Sequence, residues 1–300
     1  MTGVRPHITV CICTYKRPAL LQRLLDDLAR QETEDHFSFS IAVVDNDREQ
    51  SACVIVEDFV RLHSVHTVYC VEPVQNIALA RNRAVAAAGG KYVAFIDDDE
   101  FPVANWLLTL LKCCNAYSVD GVLGPVRPHF GSDVPSWVFR GGFYHRPEHS
   151  TGFKMSWQEC RTGNVLFNKS VLKGNGLPFR EEFGTGSEDV DFFRRMERKG
   201  FRFIWCNEAI VYEIVPPHRC KRSFLIKRAL LRGGNSLRHP EGRWRNVAKA
   251  VLAIPAYMVA LPVLLMVGHH LFMKYLVKLC DHLGRLLALV RLNPFRHREM

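Results

Sequence analysis

Four acids in succession, Asp97-Asp98-Asp99-Glu100, close a short apolar run, and a second acidic pair, Glu188-Asp189, follows the glycine-rich turn Gly184-Thr-Gly-Ser187. Adjacent carboxylates repel one another unless a cation lies among them, and hard oxygen donors suit Mg²⁺ or Mn²⁺. A solvated acidic turn would need no ion, and acids at a helix start are favoured by the helix dipole alone. Two features favour chemistry. The first cluster ends a strand-like run, which would place it in a ligand crevice. The glycines before the second allow a tight path that brings a helix N-terminus to a bound ligand, where a carboxylate could act as a general base. Arg81 is the basic residue suited to phosphate, unless it lies on a solvated helix face. Neither GxGxxG nor GxxxxGK[ST] is present, so no Rossmann phosphate loop or P-loop is supported.

The elements that must carry these residues follow from periodicity. Residues 92 to 96, Tyr-Val-Ala-Phe-Ile, come after a Gly89-Gly90 stop and read as a central strand buried on both faces. Residues 8 to 14 predict a first strand, and Pro18 opens a helix whose Leu20, Leu21, Leu24, Leu25 and Leu28 share one face. Residues 41 to 44 form a second strand ending at Asp45, followed by a helix over 49 to 62 and a strand over 67 to 71. The helix from Asn76 is rich in alanine, which permits close packing on a sheet. This alternation implies an α/β fold with a parallel sheet and right-handed crossovers. Thr14, Asp45 and the acid cluster then converge at the strand ends. Further on, the pattern predicts a helix over 106 to 116, a strand over 121 to 126, and a long functional loop region over 127 to 160 with room for short strands. It continues with a strand over 161 to 167, a helix capped by Ser187 and stopped by Gly200, and strands over 201 to 206 and 209 to 212.

The formal charge of +10 is uneven: residues 219 to 300 hold sixteen Lys or Arg against three acids, leaving residues 1 to 218 slightly acidic. Ten cysteines show neither CxxC pairs nor metal-ligand spacing, and Cys11 and Cys13 share one face of an apolar strand. With no leader-like pattern over residues 1 to 6, a reduced cytosolic setting is expected. Residues 250 to 273 contain no Lys, Arg, Asp or Glu, a length sufficient to cross a bilayer, although Pro255, Pro262 and His269-His270 interrupt the pattern. Leu276, Leu279, Leu283, Leu286, Leu287 and Val290 then form a stripe beside Lys278, Arg285 and Arg291, as at a membrane surface. The expected organisation is a catalytic domain over 1 to 218 and a basic, apolar, helical membrane-associating region over 219 to 300. The alternative is a helix packed on the catalytic domain.

Thr9-Val-Cys-Ile-Cys-Thr-Tyr-Lys-Arg-Pro18, Val43-Val-Asp-Asn-Asp47, residues 76 to 82, Phe95-Ile-Asp-Asp-Asp-Glu100 and Gly186-Ser-Glu-Asp-Val-Asp191 occur in the order seen in family-2 glycosyltransferases of the GT-A fold. The chain resembles that family over roughly residues 7 to 215. Within it, Thr162-Gly-Asn-Val-Leu-Phe167 is similar to bacterial succinoglycan and exopolysaccharide enzymes. The resemblance implies that Thr14 and Asp45 read the nucleotide base and that Arg81 lies near base and phosphates. It implies that Asp97 and Asp99 are the outer positions of a DxD motif, toward ribose and metal, with Asp98 able to replace either. Asp189 would be the catalytic base, supported by Glu188. The implied activity is inverting, metal-dependent transfer of one sugar from a nucleotide sugar, expected to be UDP-linked, to a lipid-linked or cell-surface glycan. The implied location is the cytoplasmic face of the inner membrane, with no nucleic-acid partner. Processive members carry Gln-x-x-Arg-Trp, whereas Pro240-Glu-Gly-Arg-Trp244 has Pro in place of Gln, so a single addition is expected. A nucleotidyltransferase of related fold and a non-catalytic membrane scaffold are the alternatives.

Overall fold

The computed structural model describes residues 5–132, 134–174, 176–184, 186–237, 243–290 and 292. The chain gathers into two compact units, Met1–Arg127 with Arg146–Ile214, and Pro128–His145 with Val215–Met300. The second unit thus includes part of the 127 to 160 stretch as well as the basic C-terminal region.

The first unit alternates as its periodicity requires. β1 (His7–Thr14), α1 (Pro18–Ala29), β2 (Ser38–Asp45), α2 (Cys53–Leu62), β3 (Thr67–Val71), α3 (Ile77–Ala87) and β4 (Tyr92–Ile96) follow one another. Then come β5 (Glu100–Pro102), α4 (Trp106–Tyr117), β6 (Gly121–Leu123) and β7 (Val126–Phe130), which runs across the unit boundary. α5 (Ser136–Gly141) belongs to the second unit, β8 (Asn164–Asn168), α6 (Glu188–Arg198) and β9 (Phe203–Trp205) return to the first, and β10 (Val211–Val215) ends across the boundary. The main sheet has the order β3-β2-β1-β4-β8-β6-β9. Its first four strands are parallel, β8 runs antiparallel to both β4 and β6, and β6 and β9 are again parallel. β4 is the middle strand and all five of its residues are buried, because side chains on successive residues face opposite sheet surfaces and both are covered. Ile8, Val10 and Ile12 join Leu21, Leu24, Leu25 and Leu28 of α1 on one face. Cys11, Val93 and Phe95 join Ala78, Ala80 and Ala84 of α3 on the other.

Several boundaries differ from the sequence pattern. The strand expected over 121 to 126 is two strands, because the Pro125 carbonyl turns aside to accept the Val211 N–H at 3.0 Å and Asn164 Nδ2 at 3.0 Å. The helix expected from 49 begins at Cys53, after the Asp45 carboxylate has captured the Ala52 N–H at 2.8 Å. The strand expected over 161 to 167 is β8, shifted downstream, and the one over 209 to 212 is β10, likewise later. All ten cysteines are free thiols.

In the second unit, α7 (Arg222–Asn235), α8 (Arg243–Val267) and α9 (His269–Leu289) dominate. α7 and α9 cross at backbone contact: a Cβ on Gly233 would lie 2.0 Å from the Asp281 carbonyl oxygen, and one on Gly284 2.1 Å from that of Leu230. Arg232 of α7 grips Asp281 with two hydrogen bonds of 3.0 and 2.8 Å. α8 rests on α9 through Tyr257, whose ring centroid lies 5.8 Å from that of Tyr275 and 5.7 Å from that of His282. The uncharged run over 250 to 273 is therefore not one helix; it breaks at Gly268. Among the described residues α8 alone is long and apolar enough to cross a membrane. Pro240, Glu241, Gly242 and Arg291 lie outside the described residues, while Arg243 and Trp244 open α8 and are exposed.

Asn164 is the pin of the main sheet on the side away from β1. Its Oδ1 accepts from Trp106 Nε1 at 2.8 Å, and its Nδ2 donates to the carbonyls of Pro125 and Ala209 at 3.0 and 2.7 Å, all of it buried. Asn164→Ala leaves the buried Trp106 donor and the Ala209 carbonyl unpaired at about 1–3 kcal/mol each, while the Pro125 carbonyl keeps the Val211 N–H. A loss of about 2 kcal/mol or more in denaturant unfolding is expected. An unfolding midpoint equal to that of the native chain would contradict this role.

Candidate active site

The carboxyl ends of β1, β2 and β4 meet at one edge because their registers align. Thr14 is paired with Asp45 across β1 and β2, and Cys11 with Phe95 across β1 and β4, which brings Asp98 level with Thr14. The Thr14 hydroxyl accordingly donates to Asp98 Oδ2 at 2.8 Å. Arg17, in the turn between β1 and α1, donates through Nη1 to Asp98 Oδ1 at 3.0 Å and Asp99 Oδ2 at 3.2 Å. Glu100 turns back under the chain and accepts the Asp97 N–H at 3.0 Å. Asp98, Asp99 and Glu100 are buried, whereas the Asp97 side chain is 48% exposed. Asp97 is thus the acid of the cluster most open to a ligand.

Burial of so much negative charge raises the buried carboxyls of the cluster. The Asp99 carboxyl is pushed up to about 7, first by burial and then by the charges of Asp97, Asp98 and Glu213. Burial also raises Asp98, against the pull of Arg17 and Thr14, and raises Glu100 well above the usual carboxylate range, with Asp97 adding to it. Arg146, which donates to Glu213 Oε2 at 2.7 Å, partly offsets the charge on Glu100.

Arg81 joins the two acidic motifs. It projects from α3 with only 8% of its side chain exposed; Nη1 binds Glu188 Oε1 and Nη2 lies 3.4 Å from Asp97 Oδ1. Its neighbour Asn82 exchanges hydrogen bonds of 2.7 and 2.9 Å with the backbone of Phe179, so α3 also holds the segment that leads to α6. At the front of α3, Asn76 caps the helix by accepting the N–H groups of Ala78 and Leu79. Gly184 packs directly on that Asn76 side chain, where a Cβ would sit 2.1 Å from Cγ. Glycine at 184 is therefore required by close approach, and Gly186 by its φ of +125°.

The expected cap at Ser187 is not formed. Its φ of +78° is left-handed and its side chain makes no capping bond, since a side-chain cap needs an extended backbone at that position. Instead Asp189 Oδ1 accepts the Val190 N–H at 2.7 Å, and its Oδ2 lies 4.0 Å from Arg161 Nε. Glu188 is buried, and its Oε2 has no hydrogen-bond partner. Thr185 lies outside the described residues.

Asp45 stands at the same sheet edge but has its own partners. It is fully buried; Oδ1 accepts the Asp47 N–H at 3.0 Å, and Oδ2 accepts the Ala52 N–H and the Tyr69 hydroxyl at 2.8 and 3.0 Å. The geometry thus brings together Thr14, Arg81, Asp97, Asp98, Asp99 and Glu188, with Asp189 next in the chain, and holds Asp45 one strand away.

Residues 9–174 match the profile of glycosyl transferase family 2. The chain belongs to this family. It is 35% identical over 231 residues to the succinoglycan biosynthesis protein ExoM of Rhizobium meliloti, covering 76% of this chain and 73% of that one. Among solved structures it resembles the mannosyltransferase PcManGT of Pyrobaculum calidifontis in complex with GDP-Man and Mn²⁺, with a TM-score of 0.64 and 19% identity over 97% of this chain and 88% of that one. It also resembles residues 1–349 of S. aureus TarS in complex with UDP, with a TM-score of 0.54 and 18% identity over 97% and 93% of the two chains. In a longer S. aureus TarS structure the match spans 39% of the chain. The fold is that of GT-A glycosyltransferases, and the chain is a glycosyltransferase rather than a nucleotidyltransferase.

Arg17, Arg146 and Glu213 are site residues that the sequence did not single out. Arg17 had one signal, its place directly after the first strand; Arg146 and Glu213 had none, since they lie in an irregular segment and on a short strand. For a divalent ion, the donor set of this family-2 site fits. Mg²⁺ and Mn²⁺ take one or two protein carboxylates and complete their shells with water and substrate phosphates, and Asp97 and Asp99 supply two such oxygens on one turn. Among the described residues no group of three or more His, Cys, Asp or Glu is gathered into a protein-only cage.

Arg81→Lys retains the charge but loses the planar fork that reaches Glu188 and Asp97 together. Turnover is expected to fall at least about tenfold, or ~1.4 kcal/mol of barrier, with the fold preserved by circular dichroism. Native turnover in this variant would remove Arg81 from the site.

Proposed function

We propose that the chain transfers one sugar, with inversion, from a nucleotide sugar to a lipid-linked or cell-surface glycan hydroxyl in exopolysaccharide assembly. The observation that carries this reading is the Arg81 bridge from Asp97 to Glu188. It sets a donor-side acid cluster and an acceptor-side carboxylate pair within one side chain of each other. The succinoglycan protein that the chain matches supports the pathway, and the structures solved with UDP and with GDP-Man support a nucleoside diphosphate donor. A UDP-linked sugar is the donor we favour. Thr14 and Asp45, at the ends of β1 and β2, would border its base, Asp45 exchanging one of its present partners to touch it, and Arg81 would meet its phosphates.

Transfer breaks the bond between the anomeric carbon and the diphosphate oxygen, and the electron pair leaves on the diphosphate. The acceptor oxygen bonds to the opposite face of that carbon, which acquires oxocarbenium character as in glycoside hydrolysis. Asp189 Oδ2 takes the acceptor proton, while the unpartnered Glu188 Oε2 accepts a hydrogen bond that orients the acceptor. When bound by Asp99 and Asp97, Mg²⁺ or Mn²⁺ supplies Lewis-acid neutralisation of the departing diphosphate. Asp98, locked by Thr14 and Arg17, holds the cluster in shape.

Attachment of the second unit to the cytoplasmic face of the inner membrane would bring a lipid-linked acceptor within reach. The exposed apolar residues of α8, between basic flanks, support this reading.

Asp189→Asn is expected to lower turnover by about 10²–10⁴-fold while nucleotide binding survives, the pattern of a lost proton acceptor. Product of retained anomeric configuration from the native chain would refute inversion. Asp99→Asn should abolish turnover and weaken the Mn²⁺ requirement of nucleotide binding, measured by thermal shift. Mn²⁺-dependent binding identical to that of the native chain would place the ion elsewhere. Donor hydrolysis insensitive to chelation would also count against metal dependence, and no turnover under any condition would favour a scaffold.

A further inference from the structure

α8 presents two different faces, and both are apolar. On one, Ala253, Ile254, Tyr257, Leu261 and Leu264 are half-buried at helical spacing, and Tyr257 packs on Tyr275 and His282 of α9. On the other, Leu252, Val259 and Met266 recur every seventh residue and are 77%, 78% and 81% exposed. Val251, Met258 and Val263 widen that stripe. No charged residue interrupts it from Ala250 to the end of the helix.

The α9 partner decides how such a helix can meet a bilayer. The uncharged part of α8 is about 27 Å long at 1.5 Å per residue, and Tyr257 lies near its middle, about 10 Å from the charged end. The stretch of α9 bracketed by the two Tyr257 contacts carries Lys278 and Asp281, with Lys274 immediately before it. Asp281 is tied in turn to Arg232 of α7. An α8 that crossed the bilayer in this packing would carry these groups to mid-membrane depth, where ionised side chains are costly.

We infer that α8 lies flat in one leaflet, its Leu252–Val259–Met266 face in the acyl chains and α9 on its aqueous side. This deepens, and rests on, the membrane attachment proposed above. Charge complementarity selects the occupant. Arg243, Arg245 and Lys249 are exposed at one end of α8, and Lys274 and Lys278 are exposed on α9, while Asp281 is neutralised by Arg232. Exposed Trp244 sits beside the first group, where an amphipathic ring suits the head-group level. A leaflet rich in anionic lipid matches this arrangement of an apolar stripe rimmed by bases.

The test places tryptophan along the stripe of the full chain: Leu252→Trp, Val259→Trp and Met266→Trp, each read as fluorescence in excess of the native tryptophans. The probes are vesicles of equal phosphatidylglycerol and phosphatidylcholine, brominated either near the head group or near the chain end. A flat helix predicts quenching of the three positions within about a factor of two of one another, stronger with the shallow bromines. Deep bromines quenching Val259→Trp or Met266→Trp best, with Leu252→Trp shallow, would show a crossing or re-entrant α8 and overturn the inference. So would vesicle-bound protein whose new tryptophans neither lipid quenches, since another surface, such as a second copy of the chain, then covers the stripe. Failure of the native chain to sediment with these vesicles at low salt would instead remove the membrane attachment itself, and the flat helix with it.

Discussion

Asp97, Asp98, Asp99, Glu100 and Glu188 crowd the carboxyl end of the middle strand, and Arg17 and Arg81 reach in from two helix-bearing segments to hold them. An ion withdrawn from water costs several kcal/mol even after relaxation, and only close counter-charges with good geometry offset it. The site is therefore inseparable from the placement of its arginines. Arg17 must stand between β1 and Pro18, so α1 has to begin where it does. Arg81 must lie on the buried side of α3, so α3 has to press close to the sheet, which Ala78, Ala80 and Ala84 allow.

The same constraint extends to the segment before α6. That segment has few bonds of regular structure, yet it is anchored by Asn82 to Phe179, by Asn76 to the Glu181 carbonyl, and by Gly184 packed on Asn76. α3 thus serves as the template on which α6 is positioned, and Arg81 closes the arrangement through Glu188. The left-handed Ser187 belongs to this logic: it turns the chain so that Glu188 faces inward and Asp189 remains accessible. Local capping is forgone and the first helical turn is bonded by Asp189 itself.

In the second unit the physics is of a different kind. A helix can be apolar all round because lipid surrounds it, or because protein covers it. Composition is the same in both cases. For α8 the distinction lies in α9, whose charged residues share the register of the α8 midpoint and whose own position is fixed by two glycine contacts with α7.

Much of this protein was determined by its sequence alone. The apolar run of β1, the leucine face of α1, the alanine face of α3 and the fully apolar β4 specify an α/β sheet with acids at its edge, because burial on a sheet or helix face leaves a pattern that residue order records. The triple Asp and the Glu-Asp pair mark the candidate site for the same reason: their chemistry is local. What the order could not state is which groups meet. The antiparallel entry of β8, the break at Pro125 and the shift of β10 involve contacts between residues far apart in the chain, such as those of Asn164 with the Pro125 and Ala209 carbonyls. The pairing of Arg17 with Asp98 and Asp99, of Arg81 with Glu188, and of Arg146 with Glu213 depends on strand register and helix placement over long sequence separations. Those contacts are set by the tertiary structure because the cost of burying charge is settled only where the chain brings its counter-charge.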